Sequence, residues 1–106
     1  MNHQDINTSL FRQMIEEDSF VLIDVRTIDE FNEGHIKDAV NIDFYKPTFE
    51  DEIDEFDKRK RYLVYCRSGN RSRQAMYLMR DLGFEEVYNL SHGIISWNEN
   101  NFPTER

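Results

Sequence analysis

Two short apolar segments constrain the fold of this chain more than any other feature. Phe20–Val25 (FVLIDV) and Tyr62–Tyr65 (YLVY) are rich in β-branched or aromatic residues and are apolar on both faces. Such runs are typical of strands inside a parallel sheet, because both faces of that sheet are covered. Three weaker strand candidates are Glu86–Tyr88, Ala39–Asn41 and, at an edge of the sheet, Ile6.

Segments with helical patterns alternate with these strands. The clearest is Asn70–Leu82, whose apolar residues share one face and whose last residue precedes Gly83, a suitable C-terminal cap. Thr27 and Glu30 have the spacing of a capping box. The predicted helices are Thr8–Glu17 with Asn7 or Thr8 as cap, Thr27 through Phe31, Pro47–Asp57 on the surface, Asn70–Leu82 and Gly93–Asn98. This alternation predicts an α/β fold with a mostly parallel sheet.

The length of the chain suits a single domain, residues 1–106, with one core. No apolar run approaches the roughly 18–20 residues that a membrane span needs. The polar start, Met1 to Asp5, lacks the layout of a secretory signal. We therefore expect a cytoplasmic protein, and we expect a monomer because no long apolar stripe remains after the helices pack.

The charge of the chain is acidic except around its only cysteine. A formal net charge of −8 argues against nucleic acid and anionic membranes as partners. The segment from Arg59 to Arg73 is positively charged. It contains no acidic residue and six basic ones: Arg59, Lys60, Arg61, Arg67, Arg71 and Arg73. An uneven solvated surface is the usual meaning of such a cluster. Because this one brackets Cys66, we interpret it as a candidate anion site.

The single cysteine, Cys66, cannot form an internal disulfide. The sequence also lacks a ligand pattern for a metal centre, since His3, His35 and His92 are far apart in sequence and no C-x-x-C occurs. We accordingly predict neither a metal nor another cofactor. A lone cysteine of this kind is either a small buried hydrophobe or a reactive thiol, and its surroundings must decide.

The surroundings of Cys66 favour a reactive thiol. It directly follows YLVY, and the segment Cys66–Ser72 then enters the Asn70–Leu82 helix. In α/β sheets ligands bind at the carboxyl ends of strands, and a loop leading into a helix collects backbone N–H groups around an anion. Gly69 permits the unusual φ that such a wrap needs. The helix dipole and Arg71 should both favour the thiolate.

At these residues the sequence resembles the rhodanese family of sulfurtransferases, in its single-domain form, over nearly its whole length. The matching segments are Asp24-Val25-Arg26, Glu30-Phe31, Gly34-His35-Ile36, Ala39-Val40-Asn41-Ile42, Cys66-Arg67-Ser68-Gly69-Asn70-Arg71-Ser72, Leu82-Gly83-Phe84, Gly93-Ile94 and Trp97. The resemblance implies a five-stranded, mostly parallel sheet flanked by helices on both faces. It also implies a persulfide chemistry at Cys66.

In the chemistry that the resemblance implies, Cys66 attacks the outer sulfur of a small donor such as thiosulfate or a persulfide. An acceptor, cyanide or a thiol, then removes that sulfur in a second step. The implied substrate-binding residues are Arg67, Ser68, Gly69, Asn70, Arg71 and Ser72. The loop amides would stabilise the negative charge, and Arg67 and Arg71 would attract a dianionic donor. Without a second thiol, the acceptor must come from outside.

Two other functions stay open. Dual-specificity phosphatases of the Cdc25 type have a similar site, but their active-site motif is C-x5-R. This chain has C-x4-R from Cys66 to Arg71. The shorter loop suits a sulfur atom better than a phosphoryl group. A persulfide carrier or interaction module for one protein partner is the other alternative. High turnover with small acceptors would favour the enzyme, and a stable persulfide with one partner would favour the carrier.

Two turns depart from the pattern of the family. Gly34–Ala39 lacks a proline and a glycine, and Asp38 is expected to tolerate the left-handed conformation there. His92 replaces the first glycine of a pair before the last helix, which makes it a candidate for the pocket rim together with Arg26. A second group of charged residues is expected to form a structural ion-pair network: Asp24, Arg26 and Glu30.

Overall fold

The computed structural model describes all 106 residues, in which five strands alternate with five helices. The strands are β1 (Asn2–Ile6), β2 (Phe20–Asp24), β3 (Val40–Asn41), β4 (Arg61–Tyr65) and β5 (Glu86–Leu90). The helices are α1 (Thr8–Ile15), α2 (Ile28–Glu33), α3 (Phe49–Asp54), α4 (Asn70–Asp81) and α5 (Gly93–Glu99). None of them combines the length and the apolar composition needed to cross a bilayer.

The strands form one sheet in the order β1-β5-β4-β2-β3, and every pair of neighbours is parallel. The predicted five-stranded parallel sheet is therefore confirmed. β4 lies in the centre, between β2 and β5, so its backbone is paired on both sides. Because all strands run the same way, their carboxyl ends meet at one edge of the sheet, and the segment after β4 leaves from the middle of that edge.

Two apolar cores cover the two faces of the sheet. The side chains of β4 alternate between them: Tyr62 and Val64 belong to one core, and Leu63 and Tyr65 to the other. The first core also holds α3 and α4 residues: Phe49, Ile53, Ala75, Met76 and Met79. The second holds α1 and α5 residues: Phe11, Ile94 and Trp97. Burial on both faces explains why β4 has no polar face in the sequence.

Side-chain caps fix the starts of two of the five helices, α1 and α2. The Asn7 side chain accepts a hydrogen bond from the Leu10 N–H at 2.8 Å, as a cap of α1. The capping box is present, since Thr27 Oγ1 accepts from the Glu30 N–H and Glu30 Oε1 accepts from the Thr27 N–H. Asp38 adopts φ +69°, as expected for its turn. The surface helix is shorter than predicted because a turn occupies its first residues, and α3 spans only Phe49–Asp54.

Candidate active site

Cys66 directly follows the central strand, and its side chain lies inside the loop that joins β4 to α4. The residue is 1% exposed. Its Sγ accepts hydrogen bonds from the Gly69 N–H at 3.1 Å and from the Ser72 hydroxyl at 3.3 Å. Ser72 is itself fully buried in the first turn of α4. The loop therefore surrounds the sulfur with donors, which is the arrangement a negatively charged sulfur requires.

The environment of Cys66 lowers the pKa of its thiol. Burial is the largest single influence and by itself raises the pKa, because it disfavours the charged thiolate. The hydroxyl of Ser72 and the backbone N–H groups of Ser72, Gly69 and Ser68 act in the opposite direction. Together these hydrogen bonds outweigh burial, so the pKa falls below the ordinary value of a cysteine. A lower pKa increases the fraction of Cys66 that is present as the thiolate, which is the nucleophilic form.

Two glycines let the loop pack directly against the start of α5. At Gly69, where φ is +102°, a Cβ atom would lie 2.2 Å from the Ser91 carbonyl oxygen. At Gly93, where φ is +65°, a Cβ atom would lie 2.1 Å from the Arg67 carbonyl oxygen. The Ile94 N–H donates to the Cys66 carbonyl at 2.9 Å across this contact. Only glycine allows backbones to approach so closely, and the contact holds the loop in one conformation.

Two polar residues on the neighbouring strands β1 and β5, Asp5 and Asn89, support the Cys66 loop. The buried Asn89 side chain donates from Nδ2 to the Gly69 carbonyl at 3.2 Å and to Asp5 Oδ1 at 2.7 Å. Asp5 Oδ2 accepts from Arg73 Nε at 3.0 Å. Asp5 and Asn89 are not among the site residues predicted from the sequence. A signal did exist, because Asn89 is a polar residue between Tyr88 and Leu90 in a mostly buried strand, and such residues need a partner.

The basic cluster does not form a continuous anion site. Arg59, Lys60 and Arg61 lie at the amino end of β4, and the arginines that follow Cys66 lie beyond its carboxyl end. Most of these arginines are already paired: Arg61 with Glu86 at 2.9 Å, Arg71 with Glu30 at 2.7 Å and Arg73 with Asp5 at 3.0 Å. Among the arginines of the Cys66 loop and the first turn of α4, only Arg67 is without an ion pair.

The expected network of Asp24, Arg26 and Glu30 is divided into two separate pairs. Asp24 and Arg26 form a buried ion pair at 2.7 Å, and Arg26 also donates to the Gly34 carbonyl at 2.7 Å. Glu30 binds Arg71 instead. The sequence could not show this, because Glu30 and Arg71 are 41 positions apart.

The two rim candidates are placed differently. Arg26 and Arg67 both line a cleft of about 310 Å³ at the carboxyl edge of the sheet. The other lining residues come from α2, α5 and the segment after α5: Glu30, Glu33, Gly34, Ile94, Ile95, Asn98 and Thr104. His92 is exposed, makes no side-chain capping hydrogen bond at the start of α5 and does not line this cleft. Ser68 and Asn70 are exposed at the mouth of the loop.

The arrangement is suited to nucleophilic chemistry at sulfur. A buried thiolate inside a ring of donors can attack an electrophilic sulfur, and the same donors can then stabilise the persulfide anion. No group of three or more His, Cys, Asp or Glu side chains comes together in a way that could hold a metal ion.

Known proteins share this sequence pattern and this fold. The model of the rhodanese-like domain family matches residues 7–100. A sulfurtransferase of Allochromatium vinosum is 33% identical over 95 residues, which cover 90% of this chain and 87% of that protein. A thiosulfate sulfurtransferase, GlpE of Coxiella burnetii, is 32% identical over 85 residues, which cover 80% of this chain and 78% of that protein.

Solved structures agree with the family match. The solution NMR structure of the rhodanese-like domain from the Anabaena protein Alr3790 superposes with a TM-score of 0.85 at 29% identity. The superposition covers 99% of this chain and 80% of that chain.

Proposed function

Because the chain belongs to the rhodanese-like domain family, we propose that it is a sulfurtransferase that carries sulfur on Cys66. The donor is thiosulfate or a related sulfane-sulfur compound, and the acceptor is cyanide or an external thiol. The proposed site comprises Cys66 as the nucleophile and the backbone N–H groups of the segment from Arg67 to Ser72 as the binding cradle. Residues 1–106 act as one domain, since β1, which precedes the matched segment, contributes Asp5 to the support of that loop.

The reaction has two displacement steps. The Cys66 thiolate attacks the outer sulfur of the donor, the S–S bond of the donor breaks, and the leaving group departs with the electron pair, as sulfite in the case of thiosulfate. The acceptor then attacks the outer sulfur of the persulfide, forming thiocyanate in the case of cyanide and restoring the thiolate. Electrons balance without an oxidant, and no general base takes part in the attack because the attacking species is the thiolate.

One observation carries this proposal: the Cys66 Sγ accepts hydrogen bonds from both the Gly69 N–H and the Ser72 hydroxyl while it is buried. An inert buried cysteine has no need of such donors. The names of the two relatives, a sulfurtransferase and a thiosulfate sulfurtransferase, support the same chemistry. The alternative hypothesis of a phosphatase has no such support. Arg71 would have to bind the phosphoryl group, but Glu30 holds it.

Intact-mass spectrometry tests the covalent step. After incubation with thiosulfate or a persulfide donor, we expect the native chain to gain the mass of one sulfur atom and to lose it after cyanide is added. The Cys66→Ser variant is the control and should gain nothing, since this is the only cysteine. A native chain that gains no sulfur from any donor contradicts the proposal. A persulfide that is stable to small acceptors but is discharged by one protein favours the carrier alternative.

A further inference from the structure

Glu30 is fully engaged in holding Arg71. Oε1 accepts from Arg71 Nη1 at 2.7 Å, and Oε2 accepts from Arg71 Nη2 at 2.9 Å. The guanidinium and the carboxylate thus face each other in a bidentate pair, the strongest geometry for this combination. Oε1 also accepts from the N–H and the hydroxyl of Thr27. The capping box of α2 fixes the carboxylate, and the carboxylate fixes the arginine.

Arg71 belongs to the Cys66 loop but is not available to a ligand. Its side chain is only 15% exposed, and its guanidinium also lies 5.3 Å from the centre of the Tyr45 ring. The pKa of Arg71 is raised, first by the hydrogen bonds to Glu30 and also by the negative charge of the Cys66 thiolate. The thiolate and Arg71 are therefore close enough to interact, but the positive charge of Arg71 is already compensated by Glu30.

Because Glu30 compensates the charge of Arg71, the site has little positive charge left to attract an anionic sulfur donor. Arg73 is paired with Asp5, and Arg26 with Asp24, so only Arg67 is uncommitted. The cleft next to Arg67 also contains Glu33, and the whole chain carries a net charge of −8. An anion that approaches the thiolate is repelled in proportion to its own charge, and this repulsion is twice as large for a dianion as for a monoanion.

We propose that Glu30 is a specificity-determining residue that withholds Arg71 from the donor, so that the site favours sulfur donors with one negative charge over the thiosulfate dianion. This inference rests on the proposed function. The step itself is unchanged: the outer sulfur passes to Cys66, and the donor leaves as a sulfinate, a thiolate or sulfite. Persulfides and thiosulfonates are the donor classes that meet this condition.

The test compares two donors that transfer sulfur from the same sulfonyl–sulfur linkage but differ by one charge, benzenethiosulfonate and thiosulfate. The measured quantity is the ratio of kcat/KM for the monoanion to kcat/KM for the dianion, with thiocyanate formation from cyanide as the readout. In the native protein we expect a ratio above one. In Glu30→Gln, which keeps an acceptor for the capping box, we expect the ratio to fall about four- to tenfold as Arg71 becomes available.

Two further variants separate this role from a merely structural one. Asp29→Asn removes a negative charge from an exposed position of the same helix, outside the cleft and without touching Arg71, and it should leave the ratio within about twofold of the native value. In the double variant Glu30→Gln/Arg71→Gln the ratio should return to near the native value. The lower ratio in Glu30→Gln should come from a lower KM for thiosulfate. The difference in ratio between this variant and the native protein should be smaller in about 1 M salt, where charges are screened.

Each other outcome overturns a definite statement. Thiocyanate formation with the same ratio in the native protein and Glu30→Gln overturns the role of Glu30 but leaves the proposed function intact. Equal falls in Glu30→Gln and Asp29→Asn show that the general charge of the surface, not the hold on Arg71, sets the preference. The absence of thiocyanate with either donor in the native protein overturns the proposed function, and the inference with it.

Discussion

At the scale of single residues, two opposed influences set the pKa of Cys66. Burial disfavours the thiolate, and a set of donors within the loop favours it. Only one of these donors belongs to a side chain that can be removed without altering the backbone, the hydroxyl of Ser72. The balance between burial and hydrogen bonding can therefore be tested at that position.

Replacing Ser72 with alanine should raise the pKa of Cys66. The folded state then loses a donor to the thiolate, while burial still opposes the charge, so a smaller fraction of the thiol is ionised at neutral pH. A hydrogen bond to a charged group contributes about 1.5 kcal/mol or more, so we expect alkylation by iodoacetamide to slow about tenfold at pH values below the midpoint of the native profile. The midpoint of the pH profile of alkylation should move upward.

The control for this prediction is Ser68→Ala. Ser68 lies in the same loop but acts on the sulfur through its backbone N–H, which the variant retains. Its alkylation profile should stay close to the native one. If Ser72→Ala and the native protein gave the same profile, the hydroxyl would contribute nothing to the ionisation of Cys66.

At the scale of elements, β1 does more than complete the edge of the sheet. Asp5 lies opposite Asn89 on β5 and accepts a hydrogen bond from its side chain, and Asn89 in turn holds the Gly69 carbonyl. The other oxygen of Asp5 holds Arg73 on α4. One carboxylate of an edge strand thereby joins β5, α4 and the Cys66 loop.

Replacing Asp5 with alanine should lower the free energy of unfolding by about 1–3 kcal/mol, because the buried Asn89 amide loses an acceptor. Urea denaturation measures this loss. The same variant should raise the pKa of Cys66, since Gly69 is held less firmly beneath the sulfur. Gln4→Ala is the matched control, because Gln4 is an exposed residue of the same strand. A native pKa of Cys66 in Asp5→Ala would show that β1 does not support the loop.

The sequence predicts some elements better than others for physical reasons. β2 and β4 are buried on both faces, so their composition identifies them. β1 was predicted only at Ile6 because an edge strand is held by backbone pairing on one side, and most of its side chains can remain polar. The Cys66 loop was predicted because its donors are neighbours in sequence. The pairs Glu30–Arg71 and Asp5–Asn89 are formed only by folding, and no local pattern reveals them.

At the scale of the whole molecule, the segment after α5 connects distant parts of the fold. Phe102 packs edge-on against Trp97 of α5 at 5.1 Å between ring centres, and the Arg12 guanidinium of α1 lies 4.2 Å above its ring. Three residues further on, Glu105 and His35 exchange backbone hydrogen bonds of 2.8 Å. This segment thereby holds α1, α5 and the turn that begins at Gly34 in one arrangement.

Replacing Phe102 with alanine should lower the free energy of unfolding by about 2 kcal/mol, because a half-buried aromatic ring loses its contacts. Urea denaturation followed by the fluorescence of Trp97, the only tryptophan, measures the change. Tyr77→Ala is the control, since it removes an aromatic ring that is 41% exposed on α4, and it should cost less than 1 kcal/mol. Equal losses in the two variants would mean that the segment does not hold these elements together.

The central place of β4 has a consequence for hydrogen exchange. The strand is paired on both sides and covered on both faces, so the amide protons of Leu63 and Val64 exchange with solvent only when the whole sheet opens. Cys66 follows this strand directly. Cys66 is therefore attached to the slowest-exchanging part of the molecule. For a reaction that takes place on Cys66, heat inactivation should coincide with global unfolding rather than precede it.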